Sequence, residues 1–442
     1  MRHLLLATAL LAVTTAAGAQ DTAMNTLAER YVRLALSLGQ HDADYVDAYY
    51  GPEPWRTEAL AEKLSLADIQ SRADALVREL QMARPPESAD EMVRLRHTYL
   101  TTQLRSLRAR ASMVGGARMT FDEESRALYD AVAPMHTEAE LQALLASLEA
   151  VLPGQGSLID RLEAFRTRFV IPRDRLDATF QAAITGCRER TQQYVQLPGN
   201  ESFTVEYVTG KSWSGYNWYQ GNYRSLIQVN TDLPIYVDRA IDLACHEGYP
   251  GHHAYNVLIE KNLVRDRGWW EYSVVPLFSP QALIMEGTAN YGIEVAFPKA
   301  DRLEFERRVI FPAARLNPAD VTPYYEVMDL VARLSYAGNE AARRYLNGEI
   351  NASQAADWLA KYGLYSRPRA EQRVKFIDQY RSYVINYNLG KDMVAAHVET
   401  LAGADWTPAR RWQQFLRLIS SPRLPSGLTT PNSTTPNSQR VP

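Results

Sequence analysis

Apolar residues recur every three or four positions along most of the chain, which is the spacing of one buried helix face. Near the start, the residues with this spacing are Leu27, Tyr31, Leu34 and Leu38. The pattern continues to about Gln192, and Thr120-Phe121-Asp122-Glu123 within it has the form of a helix capping box. We therefore predict a scaffold of helical hairpins over residues 20–195.

The pattern changes after this scaffold, because β-branched and aromatic residues crowd together in Phe203–Val208 and again in Tyr223–Asn230. These two runs are typical of strands, and the stretch Gly210–Gly221 between them is rich in turn residues. They predict a small antiparallel β-sheet of two or three strands.

Helical spacing returns at Tyr236 and continues, with breaks, to about Ser420. The predicted fold class is therefore mainly α, a large helical body with a small antiparallel β-sheet beside the active-site cleft. We expect residues 196–421 to carry the catalytic groups and to form one continuous domain with residues 20–195.

The two ends of the chain have a different character. An apolar run from Leu4 to Val13 precedes small residues that end at Ala19, which is the pattern of a secretory signal peptide over residues 1–19. Residues 422–442 contain few apolar side chains and repeat Thr-Thr-Pro-Asn-Ser, so they are predicted to be a disordered tail. We expect a periplasmic or secreted protein, cleaved near Ala19.

Composition and charge exclude some partners. The chain is 46% hydrophobic and has a formal charge of −3, so it lacks the basic character expected for nucleic-acid binding. No segment after the signal peptide is apolar for the roughly 18 residues of a membrane span. Cys187 and Cys245 either form one disulfide in an oxidising compartment or, for Cys245, fill a small buried apolar position.

Three of the eight histidines lie within the eight residues His246-Glu247-Gly248-Tyr249-Pro250-Gly251-His252-His253. Zinc in hydrolases is held by imidazoles and a carboxylate, with a position left for water. A free carboxylate nearby can take the proton of that water. This motif therefore predicts one Zn2+ ion, with His246 as a ligand and Glu247 as the general base.

The spacing of these histidines departs from the His-Glu-x-x-His of one regular helix. His252 and His253 stand six and seven positions after His246. On an undistorted helix the first lies about 120° off the face of His246 and the second about 10.5 Å further along the axis. Pro250 and Gly251 allow a break that returns His252 to His246. We favour His252 as the second ligand, which leaves His253 to support the site or contact substrate.

A third ligand is expected from the apolar stretch that contains Glu286 and Glu294. We predict Glu286 as the ligand, because the apolar residues before it would bury its carboxylate. Glu294 lies within about 80° of the same helix face and is a candidate to orient a ligating histidine.

The string His-Glu-Gly-Tyr-Pro-Gly-His-His, followed by Glu286-Gly287, resembles the bacterial "domain of unknown function 885" family. That family is similar to helical zinc peptidases that carry a His-Glu-x-x-His helix. The resemblance covers roughly Phe203 to Gly390 and implies His246, His252 and Glu286 as ligands and Glu247 as base. Arg381-Ser382-Tyr383 replaces a Pro-Gly-Gln of the family pattern, so no role is transferred to that segment.

Four further residues are candidates in the expected cleft. Tyr383 or Tyr387 would donate a hydrogen bond to the oxyanion formed during hydrolysis. Arg381 would either hold a substrate carboxylate through its planar fork or form a surface salt bridge. The strand Ser225–Asn230 would pair with an extended peptide along its edge, with Asn230 among the substrate-binding residues.

The function expected from these features is a zinc-dependent hydrolase, most simply a metallopeptidase whose partner is a peptide or small amide. Two alternatives stay open, namely a zinc hydrolase of a non-peptide amide or ester, and a peptide-binding protein without turnover. Glu247 separates the enzymes from the binding protein, because a binding protein needs no acid beside the ligand.

Overall fold

The computed structural model describes residues 22–211, 213–404 and 407–428. The predicted signal peptide, residues 1–19, lies outside these ranges. Among the described residues, no helix has the length and apolar character that a bilayer crossing requires.

Helices make up most of the chain. The α-helices are α1 (22–38), α2 (Glu53–Glu62), α3 (Leu66–Met82), α4 (Glu91–Val114), α5 (Phe121–Tyr129), α6 (Glu138–Val151), α7 (Leu158–Thr167), α8 (Leu176–Gln192), α9 (Asp238–Leu243), α10 (His252–Ile259), α11 (Pro280–Ala296), α12 (Lys299–Phe305), α13 (Phe311–Ala313), α14 (Val321–Arg333), α15 (Ala337–Leu346), α16 (Ala352–Tyr362), α17 (Arg367–Tyr380), α18 (Ile385–Ala402) and α19 (Pro408–Ile419). The mainly α class is confirmed.

Several helices begin where side chains satisfy their first amide groups. The predicted capping box at Thr120 is present, with the Thr120 side chain accepting from the amide of Glu123 and the Glu123 carboxylate accepting from the amide of Thr120. Ser65, Thr137 and Asn351 cap α3, α6 and α16 in the same reciprocal way. These boundaries are encoded locally in the sequence.

Helix α11 lies at the centre of the helical body. All of its side chains except Asn290 and Glu294 are buried, so it packs against neighbours on nearly every side. It meets α18 backbone to backbone, because a Cβ at Gly287 would lie 2.4 Å from the carbonyl oxygen of Gly390. This close approach brings Glu286 on α11 next to the tyrosines that precede and begin α18.

The strands form two small sheets. They are β1 (Val46–Tyr49), β2 (Ser202–Val208), β3 (Gly215–Gly221), β4 (Arg224–Asn230) and β5 (Val274–Pro276). β1 pairs antiparallel with β5, and the other sheet has the order β2-β4-β3. The small sheet predicted from the sequence is confirmed.

The three-stranded sheet differs from the prediction in two details. The stretch Gly210–Gly221, predicted as a turn, contains β3, which forms a hairpin with β4 through Asn222 and Tyr223 at positive φ. Two residues with positive φ give the turn whose twist matches a tight hairpin. β2 lies on the other side of β4 and runs parallel to it, so only the β3–β4 pair of this sheet is antiparallel.

The predicted disordered tail, 422–442, is corrected over its first residues. Leu424 and Leu428 are buried, and the amide of Ser426 donates to Asp130 Oδ2 at 3.0 Å. Two leucines four positions apart give this polar stretch an apolar side that packs on the body. Residues 429–442 lie outside the described residues.

Candidate metal centre

The histidine motif is not one regular helix. After α9, residues Ala244–Gly248 form a π-helical turn, Tyr249 is extended, and α10 begins at His252. A Cβ at Gly251 would lie 1.9 Å from the carbonyl oxygen of His246, so only glycine allows the chain to fold back this closely. The fold-back brings the ring centroids of His246 and His252 to 4.6 Å.

Glu286 of α11 completes a cluster with these two histidines. Nε2 of His246 lies 3.3 Å from Oε2 of Glu286, and Nε2 of His252 lies 3.8 Å from the same oxygen. The potential ligand atoms of the three side chains all lie within 4.8 Å of one another. Ligand atoms bound to one zinc at 2.0–2.2 Å lie roughly 3.4 Å apart, so this arrangement has the dimensions of a metal site.

Neighbouring side chains hold two members of the cluster in place. Oδ1 of Asn290 lies 3.1 Å from Nδ1 of His246, and Nδ2 of Asn290 donates to the carbonyl oxygen of Tyr387. This places the proton of His246 on Nδ1 and turns Nε2 toward the cluster. The Tyr383 hydroxyl donates to Oε1 of Glu286 at 2.8 Å, which leaves Oε2 facing the histidines.

The cluster contains buried polar atoms that the protein itself does not satisfy. Oε2 of Glu286, Nδ1 of His252 and Oε2 of Glu247 are all buried without a hydrogen-bond partner. Such atoms are costly unless a water, ion or ligand completes them. Two imidazoles and one carboxylate are the donor set of many catalytic zinc sites, so the residues present fit a Zn2+ ion.

The pKa shifts of the cluster follow from burial and mutual charge. Burial lowers the pKa of His252 to about 4, which keeps this imidazole neutral and able to bind a metal. Burial alone would raise the pKa of Glu286, but the hydrogen bond with His246 and the charges of both histidines lower it overall. Burial also opposes protonation of His246, yet Glu286 and Glu247 raise its pKa.

Glu247 lies beside the cluster, and its backbone and side chain both contact β3. Nδ2 of Asn217 donates to the backbone carbonyl of Glu247 at 2.7 Å. A Cβ at Gly215 would lie 2.9 Å from Oε1 of Glu247, so the glycine leaves room for the carboxylate. Burial raises the pKa of Glu247 to about 7, which His246 partly opposes. A carboxyl group with such a pKa can exchange a proton near neutral pH.

One cavity of about 860 Å³ contains this cluster and Glu247. β1 and β3 line part of its wall through Asp47, Gly215, Tyr216 and Asn217. Tyr216 donates a hydrogen bond to Asp47, whose pKa burial raises to about 6. The three side chains of the cluster and the free carboxylate of Glu247 therefore face the same open space.

The structure separates some predicted site residues from the cluster. Both ring nitrogens of His253 are occupied away from the cavity, by Ser225 Oγ at 2.8 Å and Glu201 Oε2 at 2.9 Å. Arg381 pairs with the buried Glu124 at 2.7 Å and does not line the cavity. Neither side chain is free to bind substrate.

Glu294, Asn230 and the β4 edge also differ from expectation. Glu294 pairs with Lys391 at 2.5 Å and not with a histidine, because it lies eight residues, or about two helical turns, beyond Glu286 on α11. Asn230 lines the cavity, but its amide group donates to the carbonyl oxygens of Lys211 and Trp213. β4 is flanked by β2 and β3, so the strand with an open edge toward the cavity is β3.

The two candidate tyrosines differ in their contacts. Tyr383 lies beside the cluster and its hydroxyl donates to Glu286. Tyr387 lines the cavity, and its ring centroid lies 5.7 Å from that of Tyr383.

Cys187 and Cys245 form a disulfide with a Cα–Cα distance of 5.5 Å. This disulfide joins α8 to the residue that precedes His246.

Sequence reasoning missed Asn290, Asp47 and Glu201. Asn290 follows Glu286 by four positions, so helical spacing carried a signal that it shares the same face. Asp47 and Glu201 are distant in sequence from the motif, and nothing in their neighbourhoods marks them. Only the packing of β1 and of the segment before β2 brings them to this region.

Comparison with known proteins gives distant likenesses. No family model and no curated protein sequence matches the chain. Among solved structures, a protein described as a lipoprotein from Colwellia psychrerythraea is 14% identical over 80% of this chain and 69% of its own, with a TM-score of 0.49. M32 carboxypeptidase from Deinococcus radiodurans R1 is 12% identical over 94% of each chain, with a TM-score of 0.45. At these values the likeness says nothing about activity.

Proposed function

We propose that this protein is an exported zinc-dependent hydrolase, and specifically a metallopeptidase. The observation that carries the proposal is the convergence of His246, His252 and Glu286 in a cavity where Glu247 presents a free carboxylate oxygen. A structural site would close all four zinc positions with protein ligands, whereas three protein ligands in an open cavity are the pattern of a catalytic site.

The chemistry divides between the cation and the protein. Zinc bound by His246, His252 and Glu286 would supply a Lewis acid that lowers the pKa of a water molecule and polarises a substrate carbonyl. Glu247 takes one proton from the attacking water as its oxygen bonds to the carbonyl carbon. The same carboxylic acid then gives that proton to the amine nitrogen as the carbon–nitrogen bond breaks.

Tyr383 and Tyr387 have different roles in this proposal. Burial and the charge of Glu286 raise the pKa of both hydroxyls well above the ordinary value, so both stay protonated at neutral pH. Tyr383 donates its hydrogen to Glu286 and orients that ligand. Tyr387, which faces the cavity, donates to the oxyanion that forms on the substrate.

The open edge of β3 supports a peptide as the substrate. The amide of Asn230 donates to the carbonyl oxygen of Ser214, which sets the alternation along the hairpin. Gly215 and Asn217 therefore turn their backbone groups away from β4, at the side that lines the cavity. An extended peptide that adds to this edge would lie beside Glu247.

Export is part of the same proposal. Disulfides persist in oxidising compartments and are rare in the cytosol, so the Cys187–Cys245 bond supports a periplasmic or secreted protein.

The test combines metal content with hydrolysis of a mixed peptide library by the wild type and by Glu247→Gln. We expect about one zinc per chain in both proteins and a rate lower by about 10²–10⁴-fold in the variant, which is the usual contribution of general acid–base catalysis. Glu304→Gln, a substitution of an exposed glutamate on α12, is the matched control and should keep full activity. Equal product from wild type and Glu247→Gln would exclude Glu247 as the base.

A further inference from the structure

Besides Arg302, four arginines line the cavity that holds the metal cluster. Arg166 comes from α7, Arg239 from α9, and Arg369 and Arg373 from α17. Three separate helices therefore contribute cations to one wall, which we call the arginine wall. Arg239 lies on α9, the helix that leads directly into the histidine motif.

Three acidic side chains of the same cavity pair with cations, and one of the three, Asp242, reaches the wall. Asp242 pairs with Arg302 at 2.7 Å and lies 3.6 Å from Arg239, and Asp329 pairs with Lys299 at 2.6 Å. Glu294 pairs with Lys391.

The other three arginines of the wall are different. Within the described ranges, no carboxylate lies within 4.0 Å of Arg166, Arg369 or Arg373. The buried Arg96 and Arg343, by contrast, each have such a partner.

Aromatic rings hold the unpaired guanidinium groups in fixed positions. Arg166 lies 4.0 Å from the ring centroid of Tyr236, and Arg373 lies 4.3 Å from that of Phe376. Arg369 lies 5.3 Å from the ring of Tyr365. Stacking uses the face of a guanidinium and leaves its N–H donors at the edge available for an anion.

The arrangement costs free energy in the absence of an anion. Arg369 and Arg373 are four positions apart on α17, so two like charges share one helix face. Nε of Arg166 is buried without a hydrogen-bond partner. The charges of Arg166 and Arg239 repel that of Arg369. An anionic ligand would remove this repulsion.

We propose that the arginine wall binds a carboxylate of the peptide substrate, which makes this enzyme selective for peptides with negative charge beside the cleaved bond. The inference rests on the proposed function, because it identifies the substrate class of the same cavity. The carboxylate belongs either to an acidic side chain or to the carboxyl terminus of the peptide. Guanidinium groups bind both in the same two-pronged way.

The experiment uses four hexapeptides of alanine and glycine that differ at two places. One central residue is Glu or Gln, and the carboxyl terminus is free or amidated. Binding is measured by calorimetry to zinc-loaded Glu247→Gln, alone and combined with Arg369→Gln or Arg373→Gln. Cleavage of the same peptides is measured with wild-type protein.

We expect each arginine substitution to weaken binding of the charged peptides by about tenfold and to leave the uncharged peptide unchanged, since a charge-assisted hydrogen bond is lost. If the arginine variants no longer bind the Glu peptides more tightly than the Gln peptides, the wall binds acidic side chains. If they no longer bind peptides with a free carboxyl terminus more tightly than amidated peptides, the wall binds the chain terminus. Arg84→Gln, which removes an exposed arginine remote from the cavity, is the matched control and should change nothing.

Equal binding of all four peptides, or equal weakening of all four by the arginine substitutions, would overturn the inference. The same loss in Arg84→Gln would also overturn it, because net charge alone would then explain the effect. Failure of the proposed function is a separate result, since it shows as no cleavage by wild type while the binding preferences are still measured.

Discussion

His252 and His253 are neighbours in the sequence, yet the structure places them in opposite environments. His252 turns toward the cavity, where its Nδ1 is buried without a partner and its Nε2 approaches Glu286. His253 is completely buried on the other side, where Glu201 and Ser225 occupy both ring nitrogens. The same residue type therefore serves an open site and a closed one.

The closed side is a fully satisfied hydrogen-bond network. Glu201 accepts from Tyr249 as well as from His253, and it pairs with Arg188 at 2.7 Å. Burial would raise the pKa of Glu201, but these hydrogen bonds lower it, and burial keeps His253 neutral by lowering its pKa. The network fixes both ends of the fold-back, Tyr249 and His253.

The difference teaches how the two kinds of buried histidine can be distinguished. Satisfied polar groups stabilise a fold, whereas buried groups without partners reduce stability until a ligand completes them. The closed network holds the backbone in the shape that the open cluster requires. Four substitutions test this comparison, from the largest expected effect to the smallest.

His252→Ala should remove a metal ligand. We expect zinc affinity to fall by more than about 100-fold, because loss of only an outer hydrogen-bonding partner costs about 10–100-fold. The stability of the metal-free protein should change little, since the lost ring had an unsatisfied nitrogen. Chelator competition measures the affinity, and thermal unfolding with and without zinc measures the stabilisation by binding. Unchanged zinc affinity would remove His252 from the site.

His253→Ala should have the opposite result and serves as the matched control. Loss of two buried hydrogen bonds and the partner of a buried carboxylate should lower the free energy of unfolding by about 2–3 kcal/mol. Zinc should still raise the melting temperature, because the ligands remain. Chemical denaturation of the metal-free protein gives the free energy. A loss of zinc binding as large as in His252→Ala would contradict the separation of the two sides.

Tyr383→Phe removes one hydroxyl and leaves the ring in place. Glu286 then loses the hydrogen bond that orients it, so we expect zinc affinity to fall by about tenfold. Tyr129→Phe is the control, because that hydroxyl is buried next to Tyr383 but has no hydrogen-bond partner. The same chelator titration applies to both variants, and equal affinities in the two would refute the orienting role of Tyr383.

Glu294→Gln should have the smallest effect. Glu294 is half exposed and pairs with Lys391, and such surface pairs contribute about 0–1 kcal/mol. We expect zinc content and affinity to equal those of the wild type. Metal analysis after gel filtration decides the matter, and a protein that loses its zinc would restore Glu294 to the site.

Local sequence was informative wherever chemistry depends on near neighbours. Helical periodicity and the capping box at Thr120 predicted helices that the structure contains. The break at Pro250 and Gly251 was predictable because proline lacks an amide hydrogen and because a regular helix cannot bring His252 to His246. Glu286 stood out as a carboxylate in an apolar helix.

The errors share a physical cause. Arg381 and Glu294 have the residue types of a binding site, and their sequence neighbourhoods do not reveal the partners that occupy them. The turn-rich stretch before β4 hid β3, because glycine and aromatic residues fit both a loop and an edge strand. Strand order and charge pairing depend on residues far away in the chain.

The sequence by itself determined the helical class, the histidine motif and the need for a chain reversal within it, since these follow from spacing and from the chemistry of proline and glycine. Only the tertiary structure decided which histidine faces the cavity, which strand has an open edge and which arginines remain unpaired. Those outcomes depend on contacts between residues up to hundreds of positions apart, and such contacts form only when the whole body packs.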